Sequence, residues 1–499
     1  MEEFVVSSPN RKCILNWYRA RRSIFILACY ESLLHGIELT MLEPTEYFFY
    51  KNELETRSPI LMYSLSLGLN NLAFLVCSIF TSHVLSRYQC FTGSMITLTL
   101  LSLIGHCMYF VSRSPAVIIV GRFVSGLGKT TNLISTSFLK TLYPTEDLAY
   151  KTTILTNFIT FGTIIGPVLT YIFLQIDIDM GAGIQLNFGN SGAFYMFLCK
   201  MVLLVGAYLF MDDIPGQRTR DRFQYAPRGN YKTIIQNFCC ACRAEEDENE
   251  NLVQRFDAEE EFLRKYDDEE FNKIPNNIDN DSDDVMTTSS RKTTSKRRIP
   301  IKQALSMVLQ HDKVVSILFT LFLHGLTFKL INSLIPVEAY RYLKWDIEEI
   351  AGLCIGNSVL GTLIAFVIAL CFSTSTHFLN LIGGFFLGMF SLVLLGTIPH
   401  YVIKMVAANL LFCLMSFFNV VASCLIGLSA RMVLNHLTDQ KLKNFTNFLR
   451  MFTLEMSYFF GSLLLPLVDM DLGLSMSVGL FVTLTSIVFM ILKLKNIWV

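Results

Sequence analysis

Charged residues are what this sequence has least of: Asp, Glu, Lys and Arg make up 16% of 499 residues, against 52% hydrophobic. So little charge cannot clothe a water-facing surface of that size, which excludes a soluble protein and implies a chain largely buried in lipid. An excess of either sign is missing too, with 41 Lys plus Arg and 41 Asp plus Glu. No global positive field exists to hold nucleic acid. The 13 cysteines are scattered through apolar runs rather than set on a disulfide spacing, and read as small buried thiols. Cys239, Cys240 and Cys242 do cluster, but without a nearby His for zinc. S-acylation is an alternative there, and a chance grouping is the better account. The opening MEEFVVSSPNRKCILNWYRARRS has no apolar core followed by a small-residue cleavage site, so the first apolar run is expected to serve as signal anchor. Neither a nucleophile–base set nor a metal-ligand spacing is found, so an enzyme is the least expected class and no cofactor or metal is implied.

What is present is apolar runs of spanning length, twelve of them. A helix needs about 20 residues to cross a hydrocarbon core of about 30 Å. Six runs come first, at 23–42, 58–83, 91–111, 116–139, 152–174 and 191–211. A polar stretch follows, and then six more at 314–335, 350–372, 378–396, 402–425, 445–468 and 473–492. The expected organisation is a cytosolic N-terminus (1–22), a six-helix bundle (23–211), a linker (212–300), a second six-helix bundle (301–492) and a short tail (493–499). Blocks of like charge such as EEDENE and TTSSRKTTSKRR mark the linker as disordered and cytosolic, with a basic end suited to anionic lipid. Within it Tyr231-Lys232-Thr233-Ile234 has the form read by sorting adaptors, although such tetrapeptides are common by chance.

Lys and Arg set the orientation. Arg11, Lys12, Arg19, Arg21 and Arg22 precede run 1, Arg87, Lys140 and Lys151 mark later loops on the same side, and Lys493 and Lys495 end the chain. Glu43, Glu46, Glu53, Glu55, Asp177, Asp179, Asp469 and Asp471 fall on the other side, so both termini are expected in the cytosol. Asn280 and Asn444, the two glycosylation matches, then face the cytosol and should carry no sugar.

Run 1 carries Glu31, His35 and Glu38, which lie at i, i+4 and i+7 and therefore share one helix face within about 60°. A carboxylate at mid-bilayer costs about 2.5–3.5 kcal/mol, so three ionisable groups there require a partner, a proton or water. Pairing that merely fixes packing is the plainer account; a polar pathway through the membrane is the preferred one. Two segments also repeat. PTEYFFY (44–50) follows run 1 and PVEAYRY (336–342) follows run 7, matching Pro44 with Pro336, Glu46 with Glu338, Phe48 with Tyr340 and Tyr50 with Tyr342. Related halves of six spans are the plan of secondary transporters, with a site at mid-membrane between them.

Run 4 contains GRFVSGLG (121–128), in which Gly121, Ser125 and Gly128 offer a smooth surface for close approach of another helix. Arg122 beside them is a permanent charge within the membrane, and Glu38 is its expected partner. This segment, with Gly126, is similar to the span 4 signature of the major facilitator superfamily, where the Arg is associated with proton coupling. Gly162, Gly166 and Pro167 of run 5 resemble that superfamily's Gly-Pro motif, with Thr170 and Tyr171 in place of its following glycines. The loop SHVLSRYQ keeps only Arg87 of the superfamily's span 2–3 consensus, Ser82 and Ser86 replacing its Gly and Asp. Within the superfamily, RRSIFIL, PTEYFFY, GRFVSGLG, IIGP and IQLNFGNSGAFY resemble the lysosomal branch containing the neuronal ceroid lipofuscinosis type seven protein. That resemblance covers mainly the first half, and implies a lysosomal membrane protein with anion, notably chloride, permeation.

GLGKTT mimics the end of a phosphate loop, but Phe123 stands where its first glycine belongs and no strand precedes it. Lys129 is then a helix charge directed to the cytosol or to a cavity. Of the remaining charges, His324 and Lys329 in run 7 are expected to face the same cavity as run 1. Glu455 in run 11 either pairs structurally, with Arg450 or run 10, or takes part in transport. Lys200 in run 6 pairs with an acid of run 1, snorkels or serves the pathway. His83, His106 and Arg431 are expected to be structural.

The expectation is thus an all-α, twelve-span protein of two pseudo-symmetric bundles that moves a small, anionic solute across a lysosomal or endosomal membrane, the plasma membrane being the alternative. Glu31, His35 and Glu38 would exchange protons, and Arg122, His324 and Lys329 would hold the anion. A passive anion channel and a non-transporting scaffold or receptor are the rival readings.

Overall fold

The computed structural model describes residues 8–88, 91–143, 145–181, 185–211, 305–308, 310–371, 377–398, 405–438 and 442–470, with Leu480, Leu484 and Val488. The linker (212–300), its cysteine cluster and its Tyr231–Ile234 tetrapeptide lie outside the described residues, as do most of run 12 and the C-terminal tail. So do the side chains of His83, Arg87, Lys140 and Asn444. Residues 1–21 and 214–299 belong to one unit, described only where the first helix begins, and residues 22–213 with 300–499 to a second that contains everything below.

The first half contains α1 (Ser8–Met41), α2 (Glu43–Phe48), α3 (Pro59–Tyr88), α4 (Phe91–Val111), α5 (Pro115–Gly128), α6 (Thr131–Leu142), α7 (Thr145–Phe173) and α8 (Ser191–Phe210). The second half contains α9 (Asp312–Glu338), α10 (Ile347–Cys371), α11 (His377–Thr397), α12 (Met405–Leu437), α13 (Lys443–Leu463) and α14 (Leu465–Met470). Among the described residues strand is confined to β1 (Ile178–Asp179) and β2 (Gln185–Leu186), an antiparallel pair between α7 and α8. Gly181 turns that hairpin at φ +80°, and its N–H donates to Asp179 Oδ1 at 2.9 Å. Only a residue without Cβ adopts that backbone cheaply.

Nine helical stretches among the described residues are long and apolar enough to cross a membrane, and they coincide with runs 1–3 and 5–10. Run 4 is divided between α5 and α6. Run 11 forms α13, where Arg450 and Glu455 lower the hydropathy, and then α14. Large apolar side chains such as Phe80, Tyr208, Leu363 and Val406 point outward, as a surface against lipid tails requires.

Small residues set the helix crossings within the first half. A Cβ added to Gly121 would lie 2.9 Å from the Gly105 carbonyl oxygen, and one on Gly105 would lie 2.6 Å from the Gly121 oxygen, so α4 and α5 touch backbone to backbone. Gly126 meets Ala73 of α3, and Gly128 meets Ser102 of α4. Gly162 and Gly166 of α7 press against Gly36 and Ile37 of α1 in the same way. Pro167 cannot donate to Thr163, four residues before it, and the hydroxyl of Thr40 on α1 supplies the missing donor at 3.2 Å. Gly105→Val is expected to force α4 from α5 and lower stability by about 1–3 kcal/mol or more. A melting curve of the purified variant superimposing on wild type would refute this packing.

The halves meet at α3 with α13 and at α7 with α10. Ser64 donates to the Ser462 carbonyl at 2.8 Å across that boundary. Both repeated segments end in a π-helical turn, Phe49–Glu53 after α2 and Ala339–Leu343 after α9. Their matched residues Phe48 and Tyr340 touch each other edge to face, centroids 5.7 Å apart, so the internal duplication places equivalent rings on the boundary itself. Tyr47, Phe49, Tyr50, Tyr63 and Tyr109 join Leu334, Val337 and Leu343 in one buried cluster there. Lys51 lies over the Tyr340 ring at 3.2 Å.

Candidate functional site

Helix α1 turns Glu31 and Glu38 into the first half, both essentially without exposure, with His35 half-buried beside them. The Lys200 ammonium of α8 reaches both Glu31 oxygens at 3.2 Å and lies 3.9 Å from Glu38 Oε2. Thr131, at the start of α6, also donates its hydroxyl to Glu31. His106 of α4 places Nε2 at 3.7 Å from Glu38 Oε1. Two carboxylates therefore share one ammonium in a region without solvent, where a lost partner leaves a charge uncompensated.

A second cluster forms where helix 1 goes on past its apolar run. The sequence places Glu43 and Glu46 in an outer acidic loop, but helical backbone continues through Glu53 and Glu46 is fully buried. Glu46, not Glu38, is the partner of Arg122: Nε lies 3.3 Å from Oε1, and Nη2 donates to Oε2 at 3.3 Å. Ser66 donates to the same carboxylate. The expected Arg122–Glu38 pair is corrected for a geometric reason: Glu46 is two turns further along, level with Arg122, while Glu38 is level with His106 and Lys200.

Asn70 of α3 joins this cluster to the break in run 4. Its amide donates to the Arg122 carbonyl at 2.8 Å and to Ser125 Oγ at 3.3 Å, while its oxygen accepts from the buried Lys129 ammonium. Between α5 and α6 the backbone tightens to three-residue bonds, Lys129 to Gly126 at 3.3 Å and Thr130 to Leu127 at 3.4 Å. The Thr130 hydroxyl donates to the Leu127 carbonyl at 2.6 Å, and the Thr131 hydroxyl lies 2.8 Å from the Gly128 carbonyl, sharing its one proton between that oxygen and Glu31. A tightened turn in the middle of a span marks strain or a hinge. Here it carries the Lys129 charge and Glu31's hydroxyl donor.

Across the halves, Lys329 of α9 forms an ion pair with Glu43. Glu455 of α13 faces Lys129 from the first half and Lys329 from its own. Arg450 is not its partner: the guanidinium donates to Met451 Sδ at 3.3 Å. His324 does not join Lys329. It packs against Phe328 and Phe385, centroids 6.0 and 5.9 Å away, because five residues along a helix turn a side chain about 140° from Lys329's direction. Among the described residues, no three His, Cys, Asp or Glu side chains are grouped to hold a metal ion.

The structure thus gathers Glu31, Glu38 and Lys200, sets Arg122 in an adjoining cluster, and brings Lys329 and Glu455 to the boundary between halves. His35 keeps a buried Nδ1 without a hydrogen-bond partner. Sequence reasoning missed Glu43, Glu46, Asn70 and the proximity of His106. A signal existed for Glu46, which the repeat pairs with Glu338, a second buried acid.

Two helical half-bundles, with charges buried inside the first and others paired across the boundary, are the architecture of a multi-span membrane protein that holds polar groups in its interior. The Major Facilitator Superfamily model matches residues 50–441, and the chain belongs to that superfamily, whose class is the secondary transporter. No curated protein matches in sequence. Similar crystal structures include a POT family transporter, PepTSo, at 14% identity and TM-score 0.60, covering 95% of this chain and 97% of that one. A D-xylose-proton symporter aligns at 12% identity and TM-score 0.59, covering 94% and 96%. The nucleoside transporter NupG aligns at 11% and 0.58, covering 95% and 99%. At such identities the likeness is one of fold.

Proposed function

We propose that this transporter moves a small anionic solute across an endolysosomal membrane together with protons. The observation that carries the reading is the pairing of each buried cation with a group that can let it go: Lys200 with Glu31, Arg122 with Glu46, Lys329 with Glu43, and Lys129 with the neutral Asn70. Protonating a carboxylate frees its cation to hold an anion, and losing the anion makes the acid give up its proton. Binding of the two ligands is then linked without direct contact between them. Lys129 and Lys329 lie on opposite halves, so an anion held by both would be passed from one face to the other as the halves rock. Resemblance to the lysosomal branch supports the location. The xylose and nucleoside named for the structural neighbours are those proteins' cargo and are not carried over.

The test is uptake of radiolabelled chloride, the simplest anion, into vesicles of purified protein under an imposed pH gradient. Wild type should take up chloride faster with the gradient than without it, and Arg122→Ala and Glu46→Gln should each abolish the difference. Equal uptake in wild type and both variants would refute the mechanism. A current that reverses at the chloride potential and ignores the pH gradient would replace it with a passive channel.

A further inference from the structure

Glu38 differs from the other acids of the first half. Glu31 takes hydrogen bonds from Lys200 and Thr131, and Glu46 takes them from Arg122 and Ser66. Both oxygens of Glu38 are buried and accept none. Its nearest groups are His106 Nε2 at 3.7 Å and Lys200 Nζ at 3.9 Å, both beyond hydrogen-bond length. His106 Nε2 is likewise buried without a partner.

The other charges facing this spot are Glu31 and His35 on the same helix, Lys129 at the α5–α6 turn, Lys200 on α8 and, toward His106, Arg122 on α5. Lys200 is engaged by Glu31, Lys129 by Asn70 and Arg122 by Glu46. Glu38 keeps only a share of the Lys200 ammonium at 3.9 Å, and it faces the His106 imidazole across a gap too long for a hydrogen bond, each of the two able to carry a proton.

We propose that Glu38 and His106 form a proton-binding site that holds a single transferable proton between α1 and α4, and that filling it draws the two helices together. The inference deepens the proton-coupled reading above and rests on it. One proton, given up by a hydronium ion whose O–H bond breaks to leave water, lands on a Glu38 oxygen and completes an O–H···N bond to His106 Nε2, and nothing is oxidised or reduced. Forming that bond contracts the gap by roughly 0.5–1 Å, since such bonds span about 2.7–3.2 Å. Glu43, which grips Lys329 of the other half, follows Glu38 by five residues on the same helical stretch. A shift of α1 at the proton site is therefore felt at the boundary between halves.

The experiment is an infrared pH titration of the full chain in lipid nanodiscs, with the proton as probe and no solute present. Wild type should show a reversible protonated-carboxyl band that Glu38→Gln abolishes. His106→Gln should move its midpoint by about one pH unit or more, whereas His35→Gln should leave the midpoint within about a third of that. A full band in Glu38→Gln, or a midpoint unmoved in His106→Gln, overturns the site; so does an equal shift in His35→Gln. Should His106→Gln fail to fold, nitrogen resonances of the labelled wild-type imidazole give the same answer: Nε2 must titrate together with the carboxyl band, and separate midpoints overturn the pairing. Because the titration needs no flux, the proton site can fail while chloride uptake stands, and the reverse.

Discussion

Lys200→Met is expected to be the most damaging single substitution in the first half, lowering stability by about 3–5 kcal/mol, because it strands the Glu31 charge in a dry interior. The ammonium has no exposure and sits 3.2 Å from both carboxylate oxygens. Methionine keeps much of the stem's volume, so cavity formation contributes little and the loss reports the charge. Glu31→Gln in the same background removes that stranded charge and should restore part of the melting temperature, the remainder staying lost because Glu38 has also lost the shared ammonium. Thermal melts of the four proteins in the cycle measure this. If Lys200→Met melts with wild type, or if the double variant is worse than the single, the pair does not carry the energetics assigned to it.

The second large effect concerns closure of the halves. Lys329 and Glu43 tie α9 to the end of helix 1, close to the Ser64–Ser462 contact. Glu43→Gln should weaken that closure by about 1–2 kcal/mol and so populate the separated state roughly ten times more often. Ser64 is buried at the boundary, so a Cys placed there becomes reachable by a water-soluble maleimide only when the halves part. Labelling of Ser64→Cys should accelerate about tenfold in Glu43→Gln and return toward the wild-type rate when the charges are exchanged as Glu43→Lys with Lys329→Glu. The same background without the new Cys corrects for native thiols. Equal labelling rates in wild type and Glu43→Gln would mean that the ion pair does not hold the halves.

Most spans were legible because a bilayer asks for long apolar segments, and hydropathy reports those directly. One crossing was legible too: Gly121 and Gly128 lie where helices touch by backbone, and small residues recurring along a helix have few other uses, whereas Gly162 and Gly166 were matched only to a motif and the structure shows their contact with α1. The shared face of Glu31 and Glu38 followed from helical periodicity alone, whereas pairing with an acid of run 1 was one of three readings open for Lys200. Arg122 was read correctly as needing an acid but given the wrong one. The apolar run ends at Leu42, so Glu43 and Glu46 looked like a wet loop, although the helix carries them onward into the protein. His106 looked structural because a lone histidine among apolar neighbours offers no pattern, and its meaning depends on Glu38 arriving opposite it.

By itself the sequence determined the spans, the small-residue contacts, the duplicated halves and the requirement that each intramembrane charge have a counterpart. All of these follow from local composition and periodicity, which a helix in lipid obeys whatever surrounds it. Only the tertiary structure decided which acid meets which base, that α5 and α6 divide one span at Lys129, and that His324 faces rings rather than charges. Those outcomes depend on the depth and rotation of helices far apart in the chain. Moving a charge about one turn along its axis, roughly 5.4 Å, exchanges one partner for another without altering any pattern visible in sequence.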